Sequence, residues 1–205
     1  MMSMKRIEAL NDFVVKFANV NGSGSASANE LFAKSFLRMG IPVSPRNIFP
    51  SNIQGLPTWY EVRVTEKGWL GRRGGVDLMV AMNPQTWDQD VKEIEAGGYL
   101  FYDNTKPLPP QKFRDDVNVI GMPLTEISNA TFTDARERQL FKNIIYVGAL
   151  AALMDIEPGV IAELIGEQYK GKEKLLKPNL NAFQMGWNYA KEKLKGQLGL
   201  KVKRA

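Results

Sequence analysis

Asn21-Gly22-Ser23-Gly24-Ser25 is the stretch of this 205-residue chain whose residue types and spacing point most directly to chemistry. Paired glycines let a backbone turn sharply and approach a ligand closely. A helix beginning just beyond them turns its unpaired amides and positive dipole end toward an anion such as pyrophosphate. One charge near a helix terminus contributes only about 0.3–1 kcal/mol, so such a site would draw on several amides together. The fit to a dinucleotide fingerprint is partial, because Ser27 stands at the third glycine position. Arg46 stands where a ribose-binding acid is expected about 20 residues on, which suits a phosphorylated ribose better than a free diol. The same pattern also serves as a plain strand-to-helix connection, and both readings stay open.

Three further stretches carry candidate chemistry. Arg72-Arg73-Gly74-Gly75 can grip an anion through forked guanidinium contacts or form a solvated turn. Asn83 closes an apolar run at the carboxyl end of a strand, where ligands meet open α/β sheets; capping the next helix explains it equally well. Ile53 to Tyr60 is unusually apolar and aromatic for a loop, so it either packs beneath another element or meets a partner chain. The partner is preferred, which makes Gln54, Gly55, Leu56, Pro57, Thr58 and Trp59 the expected interface.

What the chain lacks narrows the chemistry further. With no cysteine and no histidine it has no disulfide, no thiolate-held iron–sulfur cluster, and no metal site built on imidazole or thiolate. Ser-His and Cys-His nucleophile pairs are excluded as well, so redox chemistry has to come from elsewhere, and the missing thiols fit a reducing cytoplasm. The net charge of +5 is concentrated: Lys191 to Ala205 holds six basic residues against Glu192, while the first 190 residues carry 21 of each sign. That distribution gives little support to a nucleic-acid face. Ile144 to Met154, the longest apolar run, falls well short of the roughly 20 residues a membrane-spanning helix needs, and the start lacks the apolar core of a secretory signal. The expectation is a cytoplasmic protein with no membrane or nucleic-acid partner.

The elements that must position these residues follow from periodicity. Asp12 to Val20 is β-branched and aromatic and reads as a strand running into the glycine turn. Ala28, Leu31, Phe32, Ser35, Phe36 and Met39 recur at helical spacing, with Gly40 at the stop. Ile41 to Phe49 reads as an extended segment that its prolines confine to a short or edge strand. Val76 to Met82 reads as a parallel strand covered on both faces. Asn83-Pro84 then opens a helix carrying Trp87, Val91 and Ile94 that Gly97-Gly98 closes. Tyr99 to Tyr102 and Val117 to Ile120 are short strands, and Thr58 to Thr65 with Gly68 to Leu70 suggests an inserted antiparallel hairpin. Strands alternating with helices imply right-handed βαβ units in an open, mostly parallel, Rossmann-like sheet. Residues 131–195 read as mainly helical, with helices over Asp134 to Met154, Pro158 to Gly166 and Lys172 to Leu194. One α/β domain over 1–195 is expected, with 196–205 as a basic linker or frayed tail.

Taken in order, NGSGSASANEL from Asn21, Met39-Gly40 to Ser44, SNIQGLPTWYEVRV from Ser51, DLMVAMN from Asp77, GGYLFYD from Gly97, NIIYVGALAAL from Asn143 and NLNAFQMGWNYA from Asn179 resemble the gamma portion of 2-oxoacid:ferredoxin oxidoreductases. The likeness is greatest to forms in which that portion is fused ahead of the alpha portion, often assigned to 2-oxoglutarate. Where the common form follows Gln-Gly with Arg-Gly-Gly, this chain has Leu56-Pro57-Thr58-Trp59 after Gln54-Gly55. The resemblance implies a component of an enzyme that oxidatively decarboxylates a 2-oxoacid, forms an acyl-coenzyme A and passes electrons to ferredoxin. It implies alpha and beta partners that hold thiamine diphosphate and iron–sulfur clusters. For this chain it implies a role in assembly and on the coenzyme A side, with Asn21, Gly22, Ser23, Gly24, Ser25, Arg46 and Asn83 as candidate contacts and no catalytic or metal-binding residue. It also implies a split subunit or a piece of a longer chain, inactive alone. The rival drawn from Gly22, Gly24 and Arg46 is a freestanding NADP-type oxidoreductase or nucleotide-binding module.

Overall fold

The computed structural model describes residues 5–50, 53–68 and 74–205. The glycine turn follows the central strand of the main sheet, β2 (Asp12–Val20), after a two-residue strand β1 (Ala9–Leu10). Beyond the turn come helix α1 (Ser25–Arg38), β3 (Val43–Ile48), β4 (Pro57–Thr65), β5 (Val76–Ala81), α2 (Trp87–Lys92), β6 (Ile94–Asp103) and β7 (Asn118–Met122). Helices α3 (Leu124–Thr131), α4 (Ala135–Met154), α5 (Pro158–Gln168) and α6 (Glu173–Lys193) precede a last short strand, β8 (Leu200–Lys201).

Six strands lie in the order β3-β4-β2-β5-β6-β7. β2, β5, β6 and β7 run parallel, while β4 is antiparallel to both β2 and β3. The result is a Rossmann-like, mostly parallel α/β sheet. β5 is buried at every position, as its continuous apolar run requires of a strand covered on both faces. β3, with Pro45 in it, takes the edge, where a missing N–H costs nothing.

The pleat divides the core. Phe13, Val15 and Phe17 of β2 face α1, α4 and the outer helices, whereas Ala18, Met79, Ala81 and Leu100 face α2 with Trp59 and Trp87. α4 is the buried helix of the first layer, and its sequence is apolar on several sides because α1, α3 and α6 surround it and Tyr146 stacks on Phe17 of β2. It crosses α6 at a glycine pair: a Cβ on Gly148 would lie 2.2 Å from the Phe183 carbonyl oxygen, and one on Gly186 only 1.9 Å from that of Ile145.

Four expectations change. Helix α2 ends at Lys92, so Ile94 begins β6 and Gly97-Gly98 lie inside that strand rather than closing the helix. Those glycines are needed for close approach: a Cβ on Gly97 (φ +82°) would meet the Lys5 carbonyl oxygen at 2.3 Å, and one on Gly98 the Asp77 carbonyl oxygen at 2.9 Å. β4 is a full member of the sheet, paired on one edge with β3 and on the other with β2, rather than an insertion; of the expected return segment Gly68 to Leu70, residues 69 and 70 lie outside the described residues. Ile41 to Phe49 and Thr58 to Thr65 are instead partners of each other. Finally, the last ten residues are no frayed tail. Leu198, Leu200 and Val202 are buried, β8 pairs in parallel with β1, Val202 N–H donates to Met154 O at 2.9 Å, and Arg204 forms an ion pair with Glu157. The period-2 apolar pattern of Leu198, Leu200 and Val202 is broken up in the sequence by the intervening Gly199 and Lys201. Among the described residues no helix is long and apolar enough to cross a membrane.

Candidate functional site

The turn after β2 opens onto a cleft of about 550 Å³. Gly22 (φ +85°) and Gly24 (φ +79°) both sit in the left-handed region that favours glycine. Gly24 occupies the cap position of α1, so no side chain caps that helix, and its first turn carries no acidic residue. Its amide-bearing start is thus left for something other than the chain's own side chains. Ser23 lies between the glycines, 9% exposed, and its Oγ is buried without a hydrogen-bond partner among the described residues. An orphaned hydroxyl of this kind is unusual in a folded interior.

Elements far apart in sequence complete the cleft. Asn21, Gly22, Ser23, Gly24, Ser25, Ala26 and Ser27 form the turn side; Asn47 and Phe49 come from the β3 end, Thr58, Trp59 and Tyr60 from β4, and Arg136, Gln139 and Leu140 from the first turns of α4. Arg136 brings a cation to the mouth. Burial, helped by the charge of Glu30, pushes the Tyr60 hydroxyl up to about 12, so it stays a neutral donor.

Beneath the turn lies a chain of amides. Tyr146 donates to Asn29 Oδ1, Asn29 Nδ2 donates to Asn19 Oδ1 at 3.0 Å, and Asn143 Nδ2 donates to Ser23 O at 2.9 Å. The side chains of Asn19, Asn29, Asn143 and Tyr146 are all buried and each is hydrogen-bonded, which holds the turn's shape, since a buried amide left without a partner in a low-dielectric core would cost more than it contributes. Burial also drives the Tyr146 hydroxyl far above its ordinary range.

The glycine turn and the Ile53 to Tyr60 stretch, which the sequence offered as unrelated features, meet here. Asn21 N–H donates to Leu56 O at 2.8 Å, Gly55 N–H donates to Asn21 O at 3.0 Å, and Asn21 Nδ2 reaches Ile53 O at 3.1 Å. Gln54 packs against Gly22, where a Cβ would stand 2.8 Å from its Cγ. Gln54, Gly55 and Leu56 are exposed and Pro57 and Thr58 half-buried. Trp59 departs from the expected interface: it is buried, its Nε1 donates to Asp90 Oδ1 at 2.9 Å, and Lys16 Nζ lies 5.7 Å from its ring centre. Packing under the sheet explains Trp59; exposure to a partner does not.

Two other candidate contacts are placed away from the cleft. Asn83 is 1% exposed, with Oδ1 accepting from Gln85 N–H at 3.0 Å and Nδ2 donating to Asn19 O at 3.3 Å. It caps the turn Pro84–Thr86 and braces β2 from below. Arg46 is exposed on β3 opposite Glu61, on the face alternate to the cleft-lining Asn47. Arg72 and Arg73 lie outside the described residues. Conversely, Arg136, Gln139 and Asn143 had no local signal, because only tertiary packing of α4 brings them to a turn more than a hundred residues earlier. Among the described residues, no group of three or more His, Cys, Asp or Glu is placed to hold a metal ion.

Comparisons with known proteins agree on one family. Residues 14–189 match the family described as pyruvate ferredoxin/flavodoxin oxidoreductase. The chain is 22% identical to "2-oxoacid:ferredoxin oxidoreductase 2, subunit alpha" of Aeropyrum pernix, over 83% of its own length and 32% of that relative. Among solved structures it is similar to the 2-oxoglutarate:ferredoxin oxidoreductase of Magnetococcus marinus, a structure with 2-oxoglutarate, coenzyme A and succinyl-CoA bound. That match has a TM-score of 0.82 and 24% identity, covering 95% of this chain and 33% of that one. It also resembles the gamma subunit of the keto/oxoacid ferredoxin oxidoreductase of Geobacter sulfurreducens, with a TM-score of 0.67 and 19% identity over 88% of this chain and 99% of that one. The chain thus spans about a third of the first of these relatives and nearly all of the last.

Proposed function

Because the chain belongs to the pyruvate ferredoxin/flavodoxin oxidoreductase family, we propose that it is the gamma component of a 2-oxoacid:ferredoxin oxidoreductase, that it serves a 2-oxoglutarate-type reaction, and that its glycine cleft holds an anionic part of coenzyme A. The observation that carries the last step is Ser23 Oγ, buried and unpartnered beside the uncapped start of α1. A diphosphate there accepts from the amides of Ser25, Ala26 and Ser27 and from the Ser23 hydroxyl, with the exposed guanidinium of Arg136 across the mouth. The residues present fit such a group, since Arg136 and the serines of the turn bring a cation and donors and, among the described residues, no carboxylate lines the cleft. The cleft's size suits a nucleotide-sized portion of the coenzyme, within the usual range of about 300–1,000 Å³ for ligand pockets.

Acyl transfer, decarboxylation and electron flow belong to alpha and beta partners that hold thiamine diphosphate and iron–sulfur clusters. This chain orients the coenzyme and excludes competing poses. Of the exposed apolar side chains, Phe49 (51%) and Leu140 (39%) line the cleft, while Ile53 (65%) and Leu56 (38%) stand beside it where their carbonyls bond Asn21, and together with Gln54 to Thr58 they form the face we assign to the alpha partner.

The test is the assembled enzyme assayed by viologen reduction with 2-oxoglutarate and coenzyme A. Ser23→Val and Arg136→Gln should each raise KM for coenzyme A by about tenfold, a loss of about 1.4 kcal/mol, with KM for the 2-oxoacid unchanged. Equal effects on both substrates, or robust turnover by the purified chain alone, would reject the assignment.

A further inference from the structure

A second cleft, of about 560 Å³, opens at the carboxyl ends of β5 and β6 and shares no lining residue with the glycine cleft. Its floor is apolar. Ala81 and Met82 end β5, Pro84 and Leu108 stand beside them, and Trp87 is packed edge-on against Tyr102 and Phe113 with ring centres 5.5 and 5.9 Å away. Its polar side carries three cations from three separate segments: Lys106 after β6, Lys112 at the end of the turn Pro110–Lys112, and Lys142 on α4.

The charges here are not balanced within the site. Asp103 is the carboxylate lining the cleft, and its acceptor positions are taken. Oδ1 accepts from Thr105 N–H at 3.1 Å and Thr105 Oγ1 at 2.6 Å, while Oδ2 accepts from Thr125 N–H at 3.2 Å and from the Thr125 hydroxyl. Burial alone would raise this carboxyl, but the four hydrogen bonds together outweigh burial and lower it, so it is ionised and committed to the first turn of α3. Lys112 Nζ meets Asp88 at 3.1 Å, at the rim. Among the described residues no carboxylate pairs with Lys106 or Lys142. A floor of aromatic and aliphatic surface beneath surplus ammonium groups is complementary to one chemistry, a flat apolar body carrying an anionic group.

We propose that this cleft binds a small planar organic anion, an aryl phosphate or aromatic carboxylate, with its ring over Trp87, Met82 and Leu108 and its charge between Lys106 and Lys142. The proposal is independent of the coenzyme reading, because it uses no residue of the glycine cleft. Trp87 supplies a reporter, as its Nε1–H donates to Lys112 O at 2.8 Å on the cleft's own wall.

The full chain, labelled with 15N, is titrated with phenyl phosphate and followed by its indole and backbone amide resonances. Saturable shifts of the Trp87 indole and of the Lys106 and Thr105 amides are expected, with Kd near or below about 1 mM. The double substitution Lys106→Gln with Lys142→Gln should weaken binding at least about fivefold, as loss of two charge contacts, one exposed and one half-buried, implies. Added salt should weaken it similarly, and benzyl alcohol should shift the same residues without saturating. Ser23→Val should leave this titration untouched. No saturation up to about 10 mM, or binding unchanged in the double variant while its spectrum remains that of the folded chain, would overturn the proposal.

Discussion

Gly186→Ala puts the helix-crossing geometry on trial, because two physical effects of opposite sign compete there. Alanine is a better helix former than glycine by about 1 kcal/mol, so in an open site this change stabilises. At Gly186 the added Cβ would lie 1.9 Å from Ile145 O, 2.8 Å from Ile145 C and 2.9 Å from Ala149 N. All three are backbone atoms of α4, so no rotamer change relieves the clash. Ordinary contact begins near 3.4 Å, which requires α4 and α6 to part by about 1.5 Å. A gap of about 0.5–1 Å already forfeits a quarter to a half of a dispersion contact, and the seam includes buried Ala182, Phe183, Tyr146 and Ala190. Overpacking of this kind costs about 1–3 kcal/mol or more, and since the contact is backbone on backbone we take the upper end, for a net loss of about 2 kcal/mol after the propensity gain. With m near 2–3 kcal/mol/M for a chain this size, the urea midpoint should fall by about 0.7–1 M. Gly166→Ala in α5, where nothing lies within 4 Å of the added Cβ, is the control and should hold or raise the midpoint. A midpoint for Gly186→Ala equal to or above that of the parent would refute the reasoning.

Two further perturbations test other parts of the account. Burial pushes the Asp90 carboxyl above its ordinary value even though Thr86 and Trp59 donate to it. A folded value above the unfolded one means stability is lost as pH rises through that window. Asp90→Asn should therefore match the parent near pH 3.5 and surpass it near pH 7; urea midpoints at the two values check this, and an unchanged difference contradicts it. Truncation after Gln197 removes buried Leu198, Leu200 and Val202. At about 1.5–3 kcal/mol for each buried side chain it should unfold the chain or lower its melting temperature by well over 10 °C, whereas a dispensable tail would leave it unchanged.

The elements most legible in the sequence were those whose pattern is local. β2, α1 and α4 show their period and their stops directly, and the edge position of β3 follows from its prolines. The start of β6 is hidden because Gly97-Gly98 look like a helix stop, when their reason is the backbone of Lys5 and Asp77 pressed against them. The C-terminal strand is hidden because Gly199 and Lys201 separate its three buried side chains, Leu198, Leu200 and Val202. The same division holds at the site. Gly22, Ser23 and Gly24 announce themselves by type and spacing, while Arg136 and Gln139 reach the cleft only through the packing of α4. Trp59 looked like a partner contact because aromatic residues in loops often are, and its hydrogen bond to Asp90 is invisible until β4 is placed beside β2.

Calorimetric titration of the full chain with coenzyme A and, separately, with NADPH decides whether the glycine cleft takes the anionic end of coenzyme A. Saturable binding of coenzyme A, at least about tenfold tighter than NADPH, weakened by salt and by Ser23→Val, is the predicted result. Preferential binding of NADPH, or coenzyme A affinity indifferent to Ser23 and Arg136, would contradict it.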